Sequence, residues 1–149
     1  MRIVCQRVSS ATVEVDGQVV CSIGKGLLVY LSVGRDDKDA DAEFIAEKLV
    51  NLRIFADQAG KMNRSILEIG GEILIVSNFT LHGDCRKGRR PGFDAAEEPQ
   101  NAQRLYEKTI QLATQSGVKV EKGIFGVYMQ VASVNDGPVT FLLDSTRMF

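Results

Sequence analysis

Two hydrophobic patterns run along the chain: alternation near the N-terminus and continuous apolar runs further in. Residues 2–8 alternate loosely through Ile3, Val4 and Val8, as a strand would. Ala11-Thr12-Val13-Glu14-Val15 alternates cleanly, with Val13 and Val15 inward. Asp16-Gly17 is a two-residue hairpin signal, and residues 18–23 return from it. Gly24-Lys25-Gly26 marks another turn, so the first third predicts a β-meander. Residues 27–33 and 72–76 have no alternation. Leu27-Leu28-Val29-Tyr30-Leu31 and Ile73-Leu74-Ile75-Val76 read as strands covered on both faces.

The period changes after Gly34. Phe44, Ile45, Leu49 and Leu52 recur at helical spacing, which predicts a helix over 38–52 capped by Asp36 or Asp37. Arg53-Ile54-Phe55 reads as a short strand, Asp57 to Gly60 as a turn, and residues 61–71 as irregular. Residues 82–98 have no period and form a long loop, a common place for function. Pro99 suits the first turn of a second helix, whose stripe is Ala102, Leu105, Tyr106, Thr109, Leu112 and Ala113, ending at Gly117. Residues 118–121 form a short strand, 123–131 an apolar segment punctuated by glycine, 135–138 a turn and 139–143 a last strand. With no repeat and no linker, the expectation is one α+β domain over 1–149, mostly antiparallel strands with two main helices.

Composition narrows the function. The formal net charge of −1 excludes a general nucleic-acid coat, so nucleic-acid binding must be local. The candidate patch is Arg86-Lys87-Gly88-Arg89-Arg90, which equally fits a solvated loop. No apolar run approaches the ~20 residues of a membrane span. The N-terminus lacks a secretory pattern, so the cytoplasm is the expected location. Cys5, Cys21 and Cys85 are odd in number and widely spaced, which fits reduced thiols and neither a disulfide frame nor a zinc site. No metal or cofactor is expected.

The chemistry concentrates where the 72–76 run ends. Ser77-Asn78-Phe79-Thr80 delivers two hydroxyls, an amide and a ring at a rigid strand end. The same residues could instead only satisfy local backbone groups. His82, the single histidine, lies in the polar loop and reads as a surface imidazole, so Thr80 has no evident base. The second constellation is Asn135-Asp136-Gly137-Pro138-Val139-Thr140. A Gly-Pro bond can be cis at small cost, which would aim two carbonyls the same way; a simple turn proline is the other reading.

Together these motifs resemble the D-aminoacyl-tRNA deacylase family, bacterial and eukaryotic type. The resemblance spans Gln6-Arg7-Val8, Gly26 to Val29, Leu52 to Phe55, Gly60 to Asn63, Val76 to Leu81, Arg90-Pro91 with Phe93, Gly123 to Val131 and Asn135 to Thr140. It implies a homodimer with a barrel-like sheet that hydrolyses the ester between a D-amino acid, or glycine, and the 3′ end of tRNA. Ser77, Asn78, Phe79 and Thr80 would then form the catalytic site. Gly137 and Pro138, inserted from the partner and braced by Arg7, would reject L side chains. Phe125 and Met129 would line the pocket, and Arg86, Lys87, Arg89 and Arg90 would meet tRNA. Membrane and DNA are not expected partners. Asn78 stands where the family has glutamine. Ester hydrolysis without a protein base points to RNA assistance: the ribose hydroxyl beside the ester handles water while backbone amides near Phe79 and Thr80 hold the oxyanion. The alternatives are a related deacylase of mischarged L-alanyl-tRNA, against which Ser77 and Phe79 stand, and a non-catalytic RNA- or DNA-binding module.

Overall fold

A single strand, β1 (Arg2–Val15, 14 residues), is the spine of the sheet. A computed structural model describes residues 1–148. Along one edge β1 pairs antiparallel with β8 (Gln130–Asp144), from Arg2 opposite Asp144 to Glu14 opposite Gln130. Its other edge is shared. Arg2 to Val8 pair with β3 (Gly26–Ser32), and Ala11 to Val15 pair with β2 (Gln18–Ile23).

The expected meander is therefore corrected. The order is β2-β1-β3, with both later strands returning to β1. The physical reason is length: strands of 6 and 7 residues fit end to end along one of 14. The hairpin itself is as expected, with Asp16 at φ 51° and Gly17 at φ 75°.

Beyond β3 the sheet becomes parallel. β6 (Glu72–Ser77) runs beside β3, and β7 (Lys119–Lys122) beside β6. The connections are crossovers carrying α1 (Asp39–Asn51) and α3 (Pro99–Gln115), as parallel neighbours require. The sheet curls into a nearly closed barrel, with β2 brought against β6 and β7. Across that approach the Gly24 amide donates to Glu72 Oε2 at 2.7 Å.

The two apolar runs fill two cores. Leu27, Val29, Leu31, Ile73 and Ile75 face the helices, against Ile45, Leu49, Leu105 and Tyr106. Leu28, Leu74 and Val76 face the other way, against Val8, Val13 and Ile23. Each residue of a run is thus covered, whichever face it points to.

Local chemistry explains the remaining differences. α1 is capped by Asp41, whose Oδ2 accepts from Lys38 N at 2.8 Å, and neither expected aspartate serves. Asp37 instead accepts from Gly34 N and from the Met1 ammonium group, both at 2.5 Å. The stretch read as irregular holds β5 (Met62–Arg64), paired with β4 (Phe55–Ala56), and a third short helix, α2 (Ile66–Ile69). A reciprocal cap starts α2: Ser65 N donates to Glu68 Oε2 at 2.6 Å, and Glu68 N to Ser65 Oγ at 3.3 Å.

Candidate active site

The end of β6 is fixed by its neighbour, since Asn78 N donates to Leu31 O at 2.8 Å. The chain then tightens into a 3-10 turn over Phe79–His82. A helical turn leaves its first N–H groups without an acceptor inside the turn. Here those donors belong to Phe79 and Thr80, side by side at the strand end. Thr80 Oγ1 donates to Asn78 Oδ1 at 2.5 Å, so that hydroxyl is engaged within the turn.

Behind the turn lies a buried polar link. Ser32 Oγ is 2.6 Å from His82 Nδ1 and 3.3 Å from Phe79 O. His82 is buried, which corrects its reading as a surface imidazole. The loop closes over it, with the ring against Gly34. Burial and the Arg2 guanidinium push its pKa down, so it rests neutral.

The segment after β7 lies alongside the strand end. Gly123 N donates to Ile75 O at 3.0 Å. A Cβ at Gly123 would stand 2.7 Å from Met129 Sδ, so the glycine lets Met129 fold against Val76. Phe125 packs on Tyr106 with centroids 5.7 Å apart, and Tyr106 donates its hydroxyl to Ile75 O at 2.8 Å. Phe125 and Met129 are thus both anchored near the end of β6.

Gly137 and Pro138 are exposed and sit inside β8. The expected turn is an excursion of that strand. From Asn135, opposite Val8, to Thr140, opposite Gln6, β8 takes five residue steps against two on β1. The Gly137-Pro138 peptide bond is cis, and Gly137 has φ 139°. Asn135 closes the base of the excursion, accepting from Val139 N and donating to Thr140 Oγ1, both at 3.1 Å. Arg7 braces its tip, donating from Nε to Asp136 O at 3.1 Å and from Nη1 to Ile54 O at 2.7 Å.

Within one chain the two motifs lie on opposite sides of β1, with β3 also between β1 and β6, and are displaced along it. Ser77 is beside Leu31 and so in line with Ile3, whereas the excursion faces Arg7. Four residue steps along β1 are about 13 Å.

The basic loop is closed by two backbone hydrogen bonds between Asp84 and Gly92, at 2.7 and 2.9 Å. Arg86 grips Asp84 with two bonds of 2.9 and 2.7 Å, holding that carboxyl far below the usual carboxylate range. Lys87, Arg89 and Arg90 are exposed and form no ion pair among the described residues. The link between Arg86 and Asp84 was readable as an i, i+2 charge pair; the Ser32–His82 link had no local signal.

Known proteins resemble this chain over its whole length. A D-aminoacyl-tRNA deacylase of Thermosipho africanus is 56% identical over 149 residues, covering 100% of both chains. One of Clostridioides difficile is 54% identical over the same span. The solved structure of a c-Myc DNA unwinding element binding protein is 36% identical, with TM-score 0.91 over 97% of this chain and 98% of that one. A probable eukaryotic D-amino acid tRNA deacylase, 20% identical, shares the fold with TM-score 0.84 over 95% of this chain and 97% of that one. The fold and the relatives define an enzyme, a hydrolase acting on the ester bond of aminoacyl-tRNA. The chain belongs to the D-Tyr-tRNA(Tyr) deacylase family, whose profile matches residues 4–144.

Proposed function

We propose that this hydrolase removes D-amino acids, and glycine, from the 3′ end of tRNA in the cytoplasm, and that it works as a homodimer. The observation that carries the reading is the strand-end turn. It offers two free N–H donors for an oxyanion, while the Thr80 hydroxyl is tied to Asn78 and the one histidine is buried. No protein base stands at the ester. The substrate supplies the missing group: the free hydroxyl of the terminal ribose orients water, and the Phe79 and Thr80 amides stabilise the tetrahedral oxyanion.

The distance between the motifs motivates the dimer. In one chain the Gly137-Pro138 excursion is remote from Ser77, so it can act there only from a second copy. Inserted from the partner, its carbonyls would take the substrate's amino group and leave no room for an L side chain. Phe125 and Met129 would floor the pocket. Glycine has no side chain to exclude and passes the filter.

A second reading has a specific observation behind it, the solved relative described as binding a DNA unwinding element. On that reading the chain holds nucleic acid without turnover. Hydrolysis of D-Tyr-tRNA against L-Tyr-tRNA by the purified protein, with EDTA present, separates the two. Cleavage of the D ester alone supports the deacylase and its filter. Cleavage of neither supports the binding module, and cleavage of both contradicts the filter.

A further inference from the structure

Beside the strand-end turn stands an aromatic pair that the proposed chemistry does not use. The rings of Phe79 and Phe93 meet edge to face, with centroids 5.0 Å apart and planes at 66°. Phe79 is 58% exposed and Phe93 37%, so the pair is open to solvent although both side chains are apolar. The arrangement is held from below. A Cβ on Gly83 would lie 3.1 Å from the Phe93 ring and 2.9 Å from Thr80 O, so the glycine admits the ring to the turn. Phe93 directly follows the Asp84–Gly92 closure of the basic loop. Lys87 and Arg90 share a cleft with Gly92, the residue before Phe93, and with Asp84 and Asp94, and Arg89 is exposed on the same loop.

We propose that the Phe79–Phe93 pair, at the foot of the loop that carries Lys87, Arg89 and Arg90, is a stacking site for the unpaired nucleotides preceding the terminal adenosine of the tRNA. This rests on the reading that the substrate is a charged tRNA. Aromatic faces beside a cationic track form the combination by which proteins hold single strands, because every base has a π-face and every linkage a phosphate. Charge complementarity favours a polyanion over an apolar partner at this patch. The 3′ end of tRNA supplies both parts, bases that are already unpaired and a phosphate for each. The site would then hold the strand while the Phe79 and Thr80 amides hold the ester. Phe79 would contribute its ring to one task and its backbone to the other.

Two substrates test the assignment. One is D-Tyr-tRNA; the other is D-tyrosyl-adenosine, which carries the same ester but no preceding nucleotide. Phe93→Ala is expected to lower kcat/KM on the tRNA about tenfold, the low-to-middle range for losing one stacked base, and to leave the adenosine ester unchanged. Phe93→Tyr keeps a ring and should restore the tRNA rate; Phe93→Leu keeps bulk without a π-face and should not. A binding readout stands apart from catalysis. The wild type should bind an uncharged acceptor-stem hairpin more tightly with its single-stranded 3′ end than without it, and Phe93→Ala should lose that preference.

Equal loss on both esters, no loss on either, or an unchanged preference for the overhang would overturn the stacking site. So would a change in oligomeric state, which would assign the ring to a subunit contact. Failure of the functional reading looks different: neither ester would be hydrolysed by the wild type, while the hairpin arm still reports on stacking.

Discussion

Thr80 Oγ1 donates its hydrogen to Asn78 Oδ1 at 2.5 Å. An amide oxygen is an acceptor but not a base, so this contact holds the threonine without activating it. It also turns the asparagine side chain back over the turn.

The expected result is that Thr80→Val retains activity. Its kcat should fall by no more than about fivefold, the worth of one neutral hydrogen bond of ~1 kcal/mol. A substrate whose terminal ribose lacks the 2′ hydroxyl should lose about 10²-fold or more, the scale of a missing acid–base group. Single-turnover kinetics on the two substrates measures both. Full activity on the deoxy substrate, or a dead but folded Thr80→Val, would return threonine to the role of nucleophile.

Arg7 makes the excursion in β8 rigid by bridging two carbonyls, Asp136 O and Ile54 O. Lysine keeps the charge but is a point donor and cannot span both. Each lost bond from a charged donor is worth ~1.5–3 kcal/mol where the acceptor stays uncovered. Arg7→Lys should therefore loosen the excursion and lower the preference for D-Tyr-tRNA over L-Tyr-tRNA by about tenfold, through a gain on the L ester. An unchanged ratio of kcat/KM values would mean that Arg7 serves the fold alone.

Where burial is two-sided the chain announces itself. The runs at 27–33 and 72–76 are strands because one set of side chains meets the helices and the other meets Val8 and Val13. The helices at 39–51 and 99–115 were legible from their stripes. The long strands were not, because each is interrupted. Ser9 and Ser10 are exposed where β1 changes partner, and Asp136 to Val139 leave the ladder of β8. Both breaks read locally as ends. The reciprocal cap at Ser65 and Glu68 was visible as Ser-x-x-Glu, but only four helical residues follow it, too few to show a period. The strand-end turn and the Gly137-Pro138 segment were legible as two motifs. Their separation across the sheet was not, because register is fixed by pairing between distant segments.

His82 carries a pH dependence. Burial, then Arg2, lowers its pKa from the ordinary 6.5, with the N-terminal ammonium adding to the fall and Asp37 and Asp144 opposing it. The folded pKa thus lies below the unfolded one. At high pH the ring is neutral in both states and costs nothing. As the pH falls through about 6.5 the unfolded chain takes up a proton that the folded chain resists, so stability is lost down to the folded pKa. His82→Asn, which keeps a hydrogen-bonding group toward Ser32 and does not titrate, should flatten this part of the profile. Thermal melts between about pH 7.5 and pH 5.5 check it, above the range where carboxylates titrate. Equal pH slopes in both proteins would assign the effect to other groups.

The basic loop should act unevenly. Arg86 is neutralised by Asp84 through two hydrogen bonds, whereas Lys87, Arg89 and Arg90 have no acidic partner among the described residues. A cation already held by a carboxylate releases few counterions when a phosphate arrives, because the pair is close to neutral. Changing Lys87, Arg89 or Arg90 to Gln should each weaken tRNA binding and reduce the slope of log K against log salt by about 0.7–0.9. Arg86→Gln should change the slope much less, and by freeing the Asp84 carboxylate it should weaken binding mainly through repulsion. Filter-binding titrations from low to moderate salt distinguish these outcomes. Four equal slope changes would mean that the Arg86–Asp84 contact opens when tRNA binds, and no change at any of them would place the acceptor arm on another face.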